Sequence, residues 1–412
     1  MVSGLLMELE DKNCWTLAEA LGHRTPDRLQ HFLSRASWNE HEVLARAAAW
    51  AVERLDDGEA ILIVDETADE KSSAIAAGAA RQYSGTVGGV ALCQVMVTLT
   101  IATGKGHTII DRALYLPEGW AADEELRELA GVPEELMFAT KPQLAADLLS
   151  RAHTAEVPAV FVTGDEVYGG QRLRAHIRSL GWGYVIAVRS NHHVATKADA
   201  ATGTSVTAKD AAALVPASAW MRLRTGHGAK AARHYDWAVL DITSDDRPDG
   251  QPDQPDGHST LLIRRHRYTG TVSFYRCWSP QPVPLRRLIH IASARWRIEE
   301  DHQLAKQTCG LDAGQVIRWR SWHRWTAMAL LAYTLLAVAA ALQRHLDADL
   351  PDDLQLIAIA IPELLRQLRG VLIPEPRRDP VHKLAWSIWR RRHQYRSRRA
   401  HQRWHTYAEA TP

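Results

Sequence analysis

Apolar and polar positions change period several times along the chain. Between residues 25 and 55 the apolar ones recur every three or four positions. "TPDRLQHFLSRA" and "NEHEVLARAAAWAVERL" each put them on one stripe of a helix, so the spacing predicts two helices joined by a short turn. Thr25 is the expected N-cap, with Pro26 at the first helical position. From Ala60 the pattern becomes strand-like. "AILIV" is a short apolar run ending at Asp65, and "VALCQVMVTLTIA" (90–102) and "HTIIDRALYL" (107–116) are β-rich. Gly104-Lys105-Gly106 between the latter two predicts a hairpin. "KPQLAADLLSRAH" then reads as a helix, "PAVFVTGDE" as a buried strand ending at Gly164-Asp165, "GQRLRAHIRSLG" as a helix closed by Gly181, and "GYVIAV" as a strand. Three strands that can form a meander, followed by strands returning through helices, predict an α/β layer architecture.

The segment from Arg189 to Arg286 has another character. Its strand-like runs are "HYDWAVLDI", "STLLIRRHRY" and "TVSFYRCWS". The Asp-, Pro- and Gly-rich "TSDDRPDGQPDQPDGH" between the first two predicts a disordered connector. This block reads as a β-rich insertion, with helices resuming near Leu288. The most apolar run, Ala327 to Leu342, has 16 residues. That is short of the roughly 20 needed to span a bilayer, so a buried core helix is expected. "MVSGLLMELEDKNCW" has neither the basic lead nor the apolar core of a signal peptide.

Composition changes this picture little. With 412 residues, 46% of them hydrophobic, the chain can bury the cores of two or three domains. A net charge of +1 singles out no partner. The four cysteines show no CxxC pair and no zinc-ligand spacing with a histidine, so reduced, mostly buried thiols are expected. His192 and His193 are adjacent and would point to opposite faces of a strand. No third ligand is spaced to join them, and a loop is the preferred reading.

Candidate chemistry lies in carboxylates. Asp65 and Asp165 each follow an apolar run directly, and residues at the carboxyl ends of strands line the crevice of an open α/β sheet. Carboxylates there can hold a hard cation such as Mg²⁺, although an Asp after a strand is also a common turn former or helix cap. The stretch "ARWRIEEDHQLAK" (294–306) offers a third acid. At about 100° per residue, Arg295, Glu299 and Lys306 share one helix face at spacings of four and seven, His302 lies near that face, and Glu300 is turned away. If one glutamate is functional, helix geometry selects Glu299. For the helix taken alone, a salt-bridge ladder on an exposed face is the plainer reading.

The spacing R-x3-E-x6-K resembles the signature helix of insertion-sequence DDE transposases, in the group with a Y-R-E-K motif. "IVDET" (63–67), "ARQYSGTVG" (80–88), "IDRALYLPEGW" (110–120), "FATKPQLA" (138–145) and "VTGDEVYG" (162–169) agree with that family in order, and the resemblance runs from about residue 5 to 405. It implies an α/β, ribonuclease-H-like catalytic core carrying a β-rich insertion, with helical N- and C-terminal regions. The corresponding divisions are a helical, DNA-binding region over 1–57, the first part of the core over 58–188, the insertion over 189–286, completion of the core over 287–345, and a helical basic region over 346–412. Carried over, Asp65, Asp165 and Glu299 are the catalytic residues and ligands of two Mg²⁺ ions, for which Mn²⁺ can substitute. Arg295 and Lys306 contact DNA phosphates on either side of the scissile bond. The resemblance further implies a homodimer acting on double-stranded DNA, at terminal inverted repeats and at a target, in the bacterial cytoplasm at the nucleoid, with no membrane. Two positions depart from the pattern: Ala292 stands where the signature has Tyr, and "ADEKSS" follows "DET" where relatives have Gly and Lys. The helical sequence ahead of Gly4 is also shorter than is usual in the group. A nuclease that cuts without joining, and an inactive or repurposed DNA-binding protein, are the alternatives.

Trp386 to Tyr407 packs seven arginines and three histidines among aromatics. Arginines neutralise phosphates and aromatic rings stack on bases, so Arg390, Arg391, Arg392, Arg396, Arg398 and Arg399 are expected to bind DNA. "IRWRSWHRW" (317–325) is expected to continue that surface. Arg81, within "ARQYSGTVG", is a further DNA-binding candidate, weighed equally against a strand-edge role. His107, Asp111, Glu166 and Lys141 fit structural or capping roles at least as well as supporting ones.

Overall fold

A computed structural model describes residues 1–85, 88–196, 199, 203–227, 232–248, 257–351, 354 and 356–410. Four helices open the chain: α1 (Val2–Leu6), α2 (Cys14–Ala20), α3 (Asp27–Ser34) and α4 (Glu40–Leu55). The Asn13 side chain accepts from the N–H groups of Trp15 and Thr16 to start α2, and Asn39 does the same for α4 with His41 and Glu42. At α3 the start differs from expectation. Pro26 is the cap, its carbonyl accepting from Gln30 N–H at 3.0 Å, and the Thr25 hydroxyl donates to the Asp27 carboxylate at 2.9 Å rather than to the helix backbone.

The next strands are β1 (Ala60–Glu70), β2 (Ala80–Ser84), β3 (Gly89–Ala102) and β4 (His107–Tyr115), followed by helices α5 (Glu118–Ala122), α6 (Glu124–Ala130) and α7 (Lys141–Thr154). Then come β5 (Ala159–Gly164), α8 (Gln171–Ser179) and β6 (Gly183–Val188). A two-stranded ladder of β7 (His193–Val194) and β8 (Val206–Thr207) precedes α9 (Ala208–Ala213), so His193 is in a short strand rather than a loop. Strands β9 (Met221–His227), β10 (Ala232–Asp241), β11 (His258–His266) and β12 (Val272–Ser279) complete the β elements.

Ten strands make one mixed sheet in the order β2-β3-β1-β5-β6-β12-β11-β10-β9, with β4 also on β3. The β1–β3–β4 meander is antiparallel, with the expected hairpin at Gly104–Gly106, while β1–β5 and β5–β6 are parallel. This is the mixed α/β layering expected. β1 itself is longer than its apolar run. It continues through "DETADE" because the 14-residue β3 offers a partner as far as Glu70↔Cys93. Asp65 therefore stands within a strand rather than after one. The three strands read from the insertion are present, and β9 joins them at the sheet edge. They extend the same sheet, since β12 pairs with β6.

Of the connector expected to be disordered, 249–256 lies outside the described residues, but its first part is fixed. Arg174 and Arg178, both buried on α8, ion-pair with Asp246 at 2.7 Å each, and Arg174 also reaches Asp245 at 2.8 Å. Buried guanidinium groups require such partners, which outweighs the local preference for disorder.

Five helices close the chain: α10 (Leu285–Ala294), α11 (Trp296–Cys309), α12 (Trp319–Ala348), α13 (Ile361–Val371) and α14 (Pro380–Ala410). By length and hydropathy alone α12 could cross a membrane, but 78% of its most apolar window is buried inside the fold. It is the core helix the sequence predicted. Leu330, Tyr333 and Leu336 pack in one cluster with Leu5 and Leu33 of the N-terminal helices and Ile109 of β4. All four cysteines are free thiols and three are buried.

Candidate active site

The parallel pairing of β1 with β5 ends at Val64↔Gly164, so Asp65 and Asp165 are the next residue on each of two adjacent strands. This is where a crevice opens in such a sheet. Asp65 is buried; one of its oxygens accepts from Glu66 N–H at 2.8 Å and the other from Arg295 Nη1 at 3.1 Å. Burial pushes the Asp65 carboxyl up to about 7, the charge of Asp165 adds to this, and Arg295 opposes it. Asp165 is also raised, chiefly by burial, against an N–H from Val167 at 2.8 Å.

Arg295 stands at the joint between α10 and α11 with helical backbone angles, φ −49° and ψ −36°. Its Nη2 meets Glu299 Oε1 at 2.8 Å, one helical turn on, while Nη1 reaches Asp65. Burial works against the guanidinium charge, but Asp65, Glu299 and Asp165 together hold it above its ordinary value. The charges of all three predicted carboxylates thus bear on one arginine. Glu300 is turned away, as helix geometry required, with its carboxylate 3.6 Å from His107 Nε2 and 3.8 Å from Arg297.

The expected ladder does not extend to Lys306. Its Nζ is 2.7 Å from Asp69 Oδ1 and donates to the Ala68 carbonyl at 2.8 Å, so it closes onto β1 instead of pointing outward with Glu299. The departure after "DET" has a structural counterpart here: Asp69 is buried and supplies the partner of Lys306. Lys71 is buried as well and donates to the Gly314 carbonyl at 3.0 Å. Ala292, at the tyrosine position of the signature, is buried in an apolar cluster with Ile63, Val185 and Ile298.

The neighbouring candidates separate by environment. Glu66 accepts from Lys141 Nζ at 2.8 Å and from the Tyr168 hydroxyl at 2.5 Å, and the capping of α7 is done by Thr140 and Gln143 rather than Lys141. Glu166 is exposed, 3.4 Å from Arg189. Asp111 pairs with Arg151 at 2.8 Å. Arg81 is exposed on β2, near the exposed ring of Tyr83.

Sequence reasoning missed a buried polar layer beneath α11. Asp301, wholly buried, accepts from Thr100 Oγ at 3.0 Å and from the Tyr333 hydroxyl at 2.6 Å, and lies 2.7 Å from His107 Nδ1. His302 Nε2 lies 2.7 Å from Thr98 Oγ, and burial pushes this imidazole down to about 4. The available signal was "VMVTLTIA", where threonines interrupt an otherwise apolar strand at alternate positions.

The basic candidates divide. On α14, Arg391, Arg392, Arg396, Arg398 and Arg399 are exposed. Arg390 is half-buried and bound to Glu19 of α2 at 2.5 Å, beside a packed group of Trp15, Trp389 and His393. It fastens α14 to the N-terminal helices, unlike the other arginines of that run. In 317–325 only Ile317, Arg318 and Arg320 are exposed. Trp322, Arg324 and Trp325 point into the core, where Arg324 meets Glu40 at 3.2 Å and the Trp38 carbonyl at 2.9 Å. Helical periodicity at the start of α12 turns these residues inward, so that cluster is not a continuous surface.

Among the described residues, no three His, Cys, Asp or Glu side chains stand close enough together to hold one metal ion. The donor set nonetheless fits a divalent cation. It consists of the carboxylate oxygens of Asp65, Asp165 and Glu299, the hard ligand type that such an ion takes.

Residues 1–240 match a family described as "DDE superfamily endonuclease". A curated relative, "Probable transposase for insertion sequence element IS701" from Microchaete diplosiphon, is 26% identical over 194 residues, which is 46% of this chain and 48% of the relative. The chain thus spans about half the length of the curated relative it matches. A solved structure, "Cryo-EM structure of piggyBac transposase synaptic complex with hairpin DNA", aligns with a TM-score of 0.43 at 9% identity, covering 89% of this chain and 68% of that one.

Proposed function

This chain belongs to the DDE superfamily endonucleases, and from that premise we propose that it is a DNA transposase. It cuts phosphodiester bonds at the ends of an element and joins the freed ends to target DNA. Asp65, Asp165 and Glu299 hold two Mg²⁺ ions, or Mn²⁺ in their place. Such ions lower the pKa of an attacking water and offset the charge on the leaving oxygen. The sheet is read as a ribonuclease-H-like core, with β9–β12 as an insertion between the second and third carboxylates. The divisions at 57, 188, 286 and 345 follow from that reading.

The observation that carries the proposal is the convergence on Arg295, which bonds Asp65 at 3.1 Å and Glu299 at 2.8 Å, with Asp165 at the adjacent strand end. Two adjacent strands bring the two acids together, Asp65 from within β1 and Asp165 from just past the end of β5, and the helix adds the third. The Arg295 guanidinium, held among these acids, donates to phosphate oxygens and stabilises charge that grows in the transition state. Burial of Asp65 excludes water from one side of the site. The exposed arginines of α14 bind the duplex backbone, and Arg81 offers a further contact. Two protomers hold the two ends of the element.

The test is a cleavage assay on labelled duplex carrying the repeats that flank the gene, with Mg²⁺ or Ca²⁺. Mg²⁺-dependent cutting is expected. Glu299→Gln should lower it at least about a hundredfold, taking the upper range for residues that only support a metal site as a floor, while Glu300→Gln stays within a few-fold. Joined products separate a transposase from a nuclease that only cuts. Binding without cutting by the unmodified protein overturns the proposal.

A further inference from the structure

Thr98 on β3 is the register partner of Asp65 on β1. Its buried hydroxyl bridges two groups, donating to the Asp65 carbonyl at 3.3 Å and lying 2.7 Å from His302 Nε2. With the imidazole proton on Nε2, His302 donates to Thr98 Oγ, which leaves the Thr98 proton for Asp65. His302 follows Glu299 by three residues, close to one turn of α11. One hydroxyl therefore connects the backbone of the first carboxylate to the helix that carries the third.

A second fastening lies beside it. Thr100, two residues on and on the same face of β3, donates to Asp301, which also meets His107 and Tyr333. Rotating α11 would break both sets and leave buried polar groups without partners. Burial alone does not call for threonine here. The neighbouring Val97 and Leu99 are just as buried and apolar. What hydroxyls add is a directional link at a fixed distance.

We propose that Thr98 and His302 are positioning residues, and that the His302–Thr98–Asp65 bridge sets the separation of Asp65 from Glu299 so that the two act as one cation site. The proposal rests on the reading of those carboxylates given above. Its test is calorimetric titration of the full chain with Mn²⁺, alongside kcat and KM for duplex cleavage. Partners of this kind support metal affinity by about 10–100-fold. Thr98→Val keeps the shape and loses the hydroxyl. It should weaken Mn²⁺ binding by about tenfold and lower kcat by a similar factor, with KM for DNA unchanged. Thr98→Ser keeps the hydroxyl and should stay within about twofold of the parent in both. A packing role requires the opposite order, because valine fills the space better than serine. If Thr98→Val folds poorly, His302→Gln, whose amide can still donate, is compared with His302→Leu, and only the leucine variant should lose affinity. Equal Mn²⁺ affinity in Thr98→Val and the parent overturns the bridge while leaving the site reading in place. Parent binding that Asp65→Asn does not alter overturns the site reading, and the positioning role with it.

Discussion

Replacing Asp65 by Asn removes a charge that the fold holds at a cost. An ordinary aspartate titrates at 3.8, and this one is pushed up to about 7, mainly by burial and then by Asp165. A carboxyl raised in the folded state binds its proton more tightly there than in the unfolded chain. Its contribution to stability is therefore present at low pH and is lost as pH rises from about 4 to about 7. At about 1.4 kcal/mol per pH unit, the ionised form destabilises the fold by about 4 kcal/mol above pH 7. Asn has nearly the same shape and no charge, and Arg295 keeps Glu299 as a partner. Urea denaturation in chelator should show the variant close to its parent at pH 4.5 and more stable by up to about 4 kcal/mol at pH 8. Adding Mg²⁺ to about a hundred times its Kd should return about 2.7 kcal/mol to the parent alone. A difference between the two proteins that stays flat from acid to alkaline pH would refute the reasoning.

Two further outcomes follow from ion pairs and exposed charges. Lys306→Met strands the buried Asp69 and should cost about 3 kcal/mol, and adding Asp69→Asn should recover most of that; denaturation midpoints that fall additively would mean the two groups do not act as a pair. Changing Arg391, Arg392, Arg396, Arg398 and Arg399 to Ala should weaken binding to all duplex sequences alike and flatten the dependence of log K on log salt by about 0.9 for each phosphate no longer neutralised. An unchanged slope in a fluorescence-anisotropy salt series would remove α14 from the DNA interface.

Much of this arrangement could be read in the chain because local pattern and tertiary role agree in it. Strands β3 to β6, with helices α7 and α8, carry apolar runs bounded by Gly or by helix caps and stand where the pattern put them, whereas the short helices α5 and α6 were not read from it. The choice of Glu299 over Glu300 needed only helix geometry. Local pattern failed where a distant partner decides the outcome. β1 runs past Asp65 because a long β3 is there to pair with it. Lys306 turned inward because Asp69, far earlier in the chain, was buried beneath it, and Arg324 did so for Glu40. β2 and β9, short or polar, carry too little apolar signal to stand out. Thr98 was hidden for a different reason: in one dimension a buried threonine in a strand looks like ordinary β-branched filling.

The contact between Asp65 and Arg295 joins positions 230 residues apart. At about 5–20 residues per second of synthesis, Asp65 leaves the ribosome roughly 10–50 s before the helix that completes its surroundings. Until then β1 and β5 can pair, but they present two neighbouring acids with no guanidinium beside them, a charge arrangement that resists burial. Closure of the sheet around Asp65 is thus tied to arrival of the signature helix. A ribosome-bound fragment that stops within β9–β12 holds two of the three acids and lacks both Arg295 and Glu299, so the proposed carboxylate site is incomplete until α11 has been made.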